Sequence, residues 1–314
     1  AVRGGGPFDE DPRVQGFGSG LFTDPNGAAV NGSADEQREE LLHLEDLVKL
    51  GLVGNLADFR FTSSATGEEV VGSEVDYNGQ PAGYAADPAE TVTYVDAHDN
   101  ETLFDSLAFK LPQGTSMADR VRMNTVSLST VALSQGVVFW HAGTDLLRSK
   151  SLDRNSYDSG DWFNRVDWQR RDNTFGSGLP LRADNEAKWD FMRPLLADPA
   201  LDPTPAAMDE AHARAQDLLR IRTSSRLFRL GDLDAIQAKV SFLDTEPGVI
   251  AMLVDDTVGA DADADRDGVL VVFNATPQAT TVTGAGAGWS LHDVQASGTD
   301  AVVRGSTAGA DEVT

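Results

Sequence analysis

Short apolar runs alternate with amphipathic helical stretches along roughly the first 225 residues of the chain. The runs LVGNLADFRF, TVTYVD at residues 91–96 and VVFWHAG have the length of buried strands, and helical stretches separate or flank them. Short, fully apolar strands that alternate with helices are typical of a parallel sheet covered by helices. The pattern therefore predicts an α/β architecture, in which the second and third runs are adjacent, parallel strands.

The first helical stretch has recognisable end signals. Ser33 and Glu36 have the spacing of a capping box, and Gly51 stands where helices commonly end on a left-handed glycine. One face of the stretch carries the apolar side chains of Leu41, Leu44, Leu47 and Val48. The sequence therefore predicts a helix between these two signals.

The pattern changes from about Ser225 onwards. The segments DAIQAKVSFLDT, GVIAMLVDD and GVLVVFNATPQATTVT alternate or run apolar at strand length, and Gly, Asp and Pro turns join them without helical periodicity. We therefore expect two domains, with residues 1–225 forming the α/β part and residues 226–314 forming an all-β domain.

The charge and composition of the chain limit its partners. The 314 residues include 50 acidic and 25 basic side chains, which give a formal net charge of −25. Such a surface repels phosphate backbones and anionic lipid, so we expect neither a nucleic-acid nor a membrane partner. The acidity fits a neutral substrate or a salty environment, and it equally fits a role in solubility alone. Because the chain has no cysteine, disulfides and thiolate metal sites are excluded.

Polar side chains crowd the end of the second apolar run. In TVTYVDAHDNETLFD, the end of the run carries Asp96, His98, Asp99 and Asn100, and a helical stretch starts at Leu103. Catalytic residues of parallel α/β barrels stand at the C-terminal ends of strands. Several polar side chains at one strand end cost desolvation free energy unless something uses them. The segment is therefore a candidate site, and the alternative is a buried His98–Asp99 pair that merely closes the strand.

The motif YVDAHDNETLFD resembles the fourth conserved region of the α-amylase superfamily in its pullulanase branch. AVRGGGPFDEDPRVQGFGSG, LVGNLADF, EVDYNGQPAGYAADP, HAGTDLLRSKS and NSYDSGDWFNRVDW resemble pullulanase segments in the same order. The resemblance implies the C-terminal part of a (β/α)8 TIM-type barrel over residues 1–225, followed by a smaller antiparallel β-sandwich domain. It also implies hydrolysis of α-1,6 branch linkages in pullulan, limit dextrin and related branched α-glucans.

The resemblance also implies roles for individual residues. Asp99 matches the family carboxylate that binds hydroxyls of the glucosyl unit being cleaved and stabilises the transition state. His98 matches a histidine that hydrogen-bonds the same unit, and Asn100 lies next to both. A later loop carries neighbouring glucosyl contacts in relatives, and it matches Asn155, Tyr157 and Asp161 here. Ordinary loop capping is the alternative for these last three residues.

The catalytic pair itself is expected outside the chain. Retaining hydrolysis needs a nucleophilic carboxylate and an acid about 5–5.5 Å apart. The resemblance implies that both precede Ala1, so we expect the chain alone to be inactive. Pullulan cleavage by the chain alone would turn attention to Asp58 or Asp96. Two other interpretations remain: a non-catalytic α-glucan-binding or structural piece, and an isoamylase-like or other α-amylase-type hydrolase.

Other features receive weaker functional interpretations. Residues 261–268 open like a calcium loop, but the twelfth position counted from Asp263 is Asn274 instead of Glu, which favours an acidic surface turn. The histidines without ligand-like spacing are His43, His141, His212 and His292. Trp162, Phe163 and Trp168 fit either sugar stacking or packing. We expect no cofactor for this chain, with a structural calcium elsewhere in a longer enzyme left open.

Two expectations concern the setting of the chain. The localisation of the chain is left open, with a secreted or cell-surface bacterial enzyme favoured over a cytoplasmic one. Part of a barrel would leave strand edges exposed, and exposed edges pair with other chains unless something blunts them. We therefore expect association through barrel edges, either with a missing part or with a second copy.

Overall fold

The structure is a computed structural model that describes residues 1–314 and contains nine α-helices and eleven short strands. The helices are α1 (Ala34–Leu52), α2 (Leu103–Lys110), α3 (Met117–Ala132), α4 (Asp161–Asn164), α5 (Arg182–Asn185), α6 (Trp189–Leu196), α7 (Pro205–Ser224), α8 (Leu233–Lys239) and α9 (Asp293–Ala296). The strands are β1 (Arg60–Thr62), β2 (Glu69–Val71), β3 (Asp76–Tyr77), β4 (Gln80–Pro81), β5 (Val92–Thr93), β6 (Val137–Val138), β7 (Val240–Leu243), β8 (Val249–Asp255), β9 (Gly268–Asn274), β10 (Val282–Thr283) and β11 (Glu312–Val313). None of the helices combines the length and the apolar character that crossing a bilayer requires.

The chain divides into two compact units, each assembled from three separate segments. The first unit comprises Ala1–Gln37, Tyr94–Leu128 and Trp140–Ala215, and the second comprises Arg38–Thr93, Ser129–Phe139 and Gln216–Thr314. The domain boundary at residue 225 stays a prediction.

The first unit has an apolar core built from helices and the loops between them. Phe104 on α2 meets Phe175 edge to face, with ring centroids 5.7 Å apart and an interplanar angle of 86°. Met192 on α6 is completely buried in the same cluster, which also includes Met208 on α7. Because α2 follows directly on the HDN segment, this core supports the C-terminal side of the candidate site.

Helix α1 confirms one of its two predicted end signals. The Ser33 N–H donates to Glu36 Oε2 at 2.8 Å, and the Glu36 N–H donates back to Ser33 Oγ at 3.3 Å. The predicted stop at Gly51 is wrong, because the helix continues to Leu52. The left-handed residues that follow it are Gly54, with φ +82°, and Asn55, with φ 53°. Gly54 suits this conformation because it carries no Cβ.

The strands predicted beyond Ser225 form a three-stranded antiparallel sheet. Strands β7 and β8 pair with Val240 opposite Val254, and β8 and β9 pair with Val249 opposite Asn274. The first predicted segment divides into helix α8 and strand β7 because Asp232 caps the helix, accepting the Ala235 N–H at 2.8 Å. Antiparallel pairing of these strands is confirmed, although helix precedes the first of them.

The expected C-terminal part of a (β/α)8 TIM-type barrel and the expected β-sandwich are both wrong for this structure. The chain forms five separate sheets of two or three strands, and none of them closes on itself. The run LVGNLADFRF does not form one parallel strand. Leu56 makes only an isolated parallel bridge to Ala85, and the end of the run belongs to β1, which pairs antiparallel with β2. A short apolar run does not by itself fix the length of a strand or its partner.

One parallel pair of strands is present, as predicted. Strands β5 and β6 are parallel neighbours, with Val92 opposite Val137 and Thr93 opposite Val138. Val92 and Val137 are 55% and 47% exposed, so this small sheet keeps apolar surface uncovered. Association of the chain through such an edge stays a prediction.

Helix α1 carries a buried acidic group that makes stability depend on pH. Glu45 is 2% exposed, and its Oε1 accepts the Gly248 N–H at 2.7 Å. Burial is the main cause that raises the pKa of Glu45 from 4.5 to about 6. The folded state therefore binds a proton that the unfolded state releases between these two pH values.

We expect the free energy of unfolding to fall as pH rises from 4.5 to 7, with Glu45 contributing about 2 kcal/mol of the change. The Glu45→Gln variant should lose this part of the dependence, because the amide keeps an acceptor for Gly248 but does not titrate. Urea unfolding at several pH values measures it, with Glu40→Gln on the exposed side of α1 as the control. An identical pH slope in wild type and Glu45→Gln would contradict the assignment.

Candidate functional site

The candidate site begins where strand β5 ends. Residues 94–102 connect β5 to helix α2 in the first unit and contain the HDN segment. Two side chains fix the start of the helix: Thr102 Oγ1 accepts the Asp105 N–H at 3.1 Å, and Asp96 Oδ2 accepts the Leu103 N–H at 3.1 Å. Capping of this kind satisfies N–H groups that have no partner within the helix. The segment between Asp96 and Thr102 is therefore anchored at its C-terminal end.

The HDN segment forms a turn that faces solvent. His98 and Asp99 are exposed, and Asn100 is half-buried. Asn100 has the left-handed φ of +61°, and its N–H donates to Asp99 Oδ1 at 3.0 Å. Asparagine tolerates this conformation better than most residues. The alternative of a buried His98–Asp99 pair is wrong, since both side chains are accessible.

Asn155, Tyr157 and Asp161 lie on a second loop of the same unit. The Asn155 N–H donates to Asp153 Oδ1 at 2.9 Å, and Tyr157 is 84% exposed. Asp161 is exposed at the first position of helix α4. Asn164, at the end of this helix, donates through Nδ2 to the Ser156 carbonyl at 2.6 Å, which closes the loop. The loop thus presents a large aromatic ring and a carboxylate on a hydrogen-bonded frame.

Both loops make a hydrogen bond to the same buried segment, which contains Lys150 and Asp153. The Lys150 ammonium donates to the His98 carbonyl at 3.1 Å, while Asp153 accepts the Asn155 N–H. No hydrogen bond runs directly between the HDN turn and residues 155–161. Their action as one binding site stays a prediction, supported by this shared anchor.

Sequence reasoning missed a buried polar chain beneath the site. His141 Nδ1 lies 3.7 Å from Asp96 Oδ2, and His141 Nε2 lies 3.1 Å from Arg148 Nη1. Arg148 Nη2 also donates to the Asn164 carbonyl at 2.6 Å. The pKa of Arg148 is lowered, mainly by burial. Asp96 and Asn164 are distant in sequence from His141 and Arg148, and the seven-residue step between His141 and Arg148 lies outside any α-helix, so no local spacing signals these contacts.

Asp58 and Asp96, the alternative catalytic carboxylates, lie in different environments from Asp99. Asp96 is 2% exposed and caps helix α2, so it is poorly placed to attack a sugar. Asp58 is exposed on the turn before strand β1, in the second unit. Among the aromatic candidates, Trp162 is 69% exposed and Trp168 is 62% exposed. The Arg165 guanidinium lies 5.7 Å from the Trp162 ring centroid, which is a cation–π distance.

The acidic segment at residues 261–268 is a surface turn. Asp256, at the end of β8, accepts the Asp263 N–H at 2.8 Å and pairs with Lys239 at 2.7 Å. Asp263 in turn lies 3.7 Å from the Arg266 guanidinium. No cluster of three or more His, Asp or Glu side chains in the structure has a geometry that could hold a metal ion.

Comparison with known proteins identifies the family to which this chain is similar. Residues 170–314 match the family model described as "Alpha-1,6-glucosidases, pullulanase-type, C-terminal". The chain is 43% identical over 291 residues to the pullulanase of Klebsiella pneumoniae, covering 90% of this chain and 26% of that protein. It is 41% identical over 319 residues to the chloroplastic pullulanase 1 of Arabidopsis thaliana, covering 98% of this chain and 33% of that protein.

Solved structures agree with these matches. The apo pullulanase of Klebsiella pneumoniae superposes with a TM-score of 0.90 at 39% identity, covering 100% of this chain and 34% of that one. A maltotriose complex of PulA from the same organism gives a TM-score of 0.91 at 40% identity, with the same two coverages. The chain belongs to the pullulanase family and corresponds to the C-terminal part of these relatives.

Proposed function

We propose that this chain contributes sugar-binding groups and the transition-state-stabilising carboxylate to an enzyme that hydrolyses α-1,6-glucosidic branch linkages in pullulan and related α-glucans. The observation that carries the proposal is the exposed His98–Asp99 pair, held in a turn by buried anchors in a chain of the pullulanase family. Three of the solved structures are maltotriose complexes of pullulanase, which supports an α-glucan as the ligand.

The chemistry of glycoside hydrolysis fits these side chains. The transition state resembles an oxocarbenium ion, so a fixed negative charge at Asp99 lowers its free energy. Hydrogen bonds from His98 and Asn100 to sugar hydroxyls would orient the glucosyl unit as that charge develops. In the retaining mechanism, a separate carboxylate attacks and an acid protonates the leaving oxygen. We propose that both of these groups lie outside the chain.

A second candidate function is α-glucan binding without cleavage. Tyr157 and Trp162 are 84% and 69% exposed on one loop, and exposed aromatic rings offer apolar faces to sugar rings. Such a surface would bind glucan whether or not a catalytic pair is present. Asn155 and Asp161 would add polar contacts to the same ligand.

An activity assay separates the two candidates. We expect no reducing sugar from pullulan incubated with the chain alone, because Asp99 cannot replace both a nucleophile and a proton donor. A longer polypeptide that adds the region preceding this one in its relatives should release reducing sugar from pullulan. Failure of that polypeptide to cleave while it still binds maltotriose would favour the binding function. Cleavage by the chain alone that Asp99→Ala abolishes would show that the catalytic pair lies within it.

A further inference from the structure

Lys150 is a buried lysine whose ammonium reaches the candidate site. The residue is 1% exposed, and the hydrogen bond of its Nζ goes to the His98 carbonyl at 3.1 Å. Burying an ammonium is unfavourable unless hydrogen bonds and opposite charges compensate it. Burial is the main cause that lowers the pKa of Lys150, and Asp105 and Asp153 oppose that shift. The buried Lys150 ammonium is therefore stabilised by its hydrogen bond to His98 and by the Asp105 and Asp153 carboxylates.

The backbone around Lys150 has an uncommon conformation. Leu147, Ser151 and Leu152 have φ values of 57°, 53° and 67°, in the left-handed region. Such values are rare for bulky side chains such as leucine and persist only where the surrounding structure enforces them. Backbone of this kind clusters at functional sites more than elsewhere, and Lys150 lies between these positions.

Helix α2 provides contacts that hold the backbone around Lys150 in this conformation. Asp105, which is fully buried, accepts hydrogen bonds from Ser149 Oγ at 2.5 Å and from the Lys150 N–H at 2.6 Å. Thr174 Oγ1 donates to the Ser149 carbonyl at 2.5 Å from the opposite side. Helix α2, which follows the HDN turn, thus holds the segment that contains Lys150. The Lys150 ammonium in turn contacts the HDN turn.

We propose that Lys150 is a positioning residue for the HDN turn: its ammonium fixes the His98 carbonyl and so pre-organises the exposed His98 and Asp99 side chains for a sugar. This inference rests on the proposed function of those side chains. A turn that already has its bound conformation pays less ordering entropy when the ligand arrives. Lys150 does not contact the sugar in this account and acts only through the backbone of His98.

A second buried lysine provides a matched comparison. Lys110 is 4% exposed at the end of α2, and its ammonium also donates to backbone carbonyls, at 2.8 Å to Val14 and 3.2 Å to Pro12. Its hydrogen-bond partners belong to the N-terminal loop. Burial is the main cause that lowers its pKa, and the carboxylate that most strongly opposes this shift is Glu101, which follows the HDN residues. Removing this ammonium therefore has the general cost of losing a buried lysine without removing a hydrogen bond to residues 98–100.

The test measures amide hydrogen exchange and maltotriose affinity in the 314-residue chain and its variants. In Lys150→Met, we expect amides of residues 98–102 to exchange about tenfold faster and maltotriose to bind about tenfold more weakly. Lys150→Arg keeps a charged donor and should bring both values back to within about threefold of wild type. Lys110→Met should leave the exchange rates of residues 98–100 and the maltotriose affinity within about twofold of wild type.

The outcomes separate this inference from the proposed function. Unchanged exchange at residues 98–102 in folded Lys150→Met would overturn the positioning role. Absence of maltotriose binding by the wild-type chain would count against the proposed function, and the exchange rates would still decide the role of Lys150. If Lys150→Met does not fold, Lys150→Leu takes its place, since it also lacks a donor. Failure of both variants to fold would overturn the proposal in favour of a purely structural role.

Discussion

Asp99→Asn should lower kcat/KM for pullulan by at least about 100-fold in a cleaving polypeptide that contains this chain. The amide keeps the shape of the side chain and its acceptor for the Asn100 N–H. It removes the negative charge that an oxocarbenium-like transition state requires. Release of reducing sugar from pullulan measures the effect at substrate concentrations well below KM.

Asp190→Asn is the matched control for this substitution. Asp190 is exposed on helix α6 in the same unit and has no assigned role in sugar binding. We expect it to leave kcat/KM within about twofold of wild type, since surface substitutions away from special features have small effects. A loss of less than about threefold in Asp99→Asn would remove Asp99 from the catalytic machinery.

Phe104→Ala should lower the free energy of unfolding by about 3–5 kcal/mol. Phe104 is 5% exposed, and its ring meets Phe175 with centroids 5.7 Å apart. Truncation removes apolar burial and leaves a cavity that the helices around it fill only partly. Since Phe104 lies in the first turn of α2, the HDN turn should lose part of its support as well. Urea unfolding monitored by circular dichroism measures the change.

Phe8→Ala is the control for the core substitution. Phe8 is 82% exposed and contacts the Arg154 guanidinium, which lies 5.1 Å from its ring centroid. We expect a loss within about 1 kcal/mol, the order of an exposed cation–π contact. Equal losses in the two variants would contradict the view that the cluster around Phe104 is the core of its unit.

Local signals in the sequence predicted local structure well. The capping box of Ser33 and Glu36 is confirmed because its hydrogen bonds join residues three apart. The parallel pairing of β5 and β6 is also confirmed. It was predictable because two β-rich runs separated by helical sequence favour that arrangement. The exposure of His98 and Asp99 fits the motif in which they occur. Their role in sugar binding stays a prediction.

Long-range structure was predicted less well. The run LVGNLADFRF was assigned to one strand, although it makes only an isolated bridge at Leu56 and the start of β1. The part of a barrel that the resemblance implied is wrong, because the strands pair in five separate small sheets. The contacts of Lys150 with His98 and of His141 with Asp96 join residues that no periodicity relates. Such contacts become visible only once the loops are placed in three dimensions.

Mapping maltotriose onto the 314-residue chain by NMR tests the central claim most directly. The account predicts saturable chemical-shift changes that are largest at residues 98–100 and extend to residues 155–161. It also predicts that Asp99→Asn weakens the binding while the spectrum of the C-terminal sheet stays unchanged. Saturable changes confined to strands β7 to β9, or no change at residues 98–100 at saturating maltotriose, would contradict the claim that the HDN turn binds the sugar.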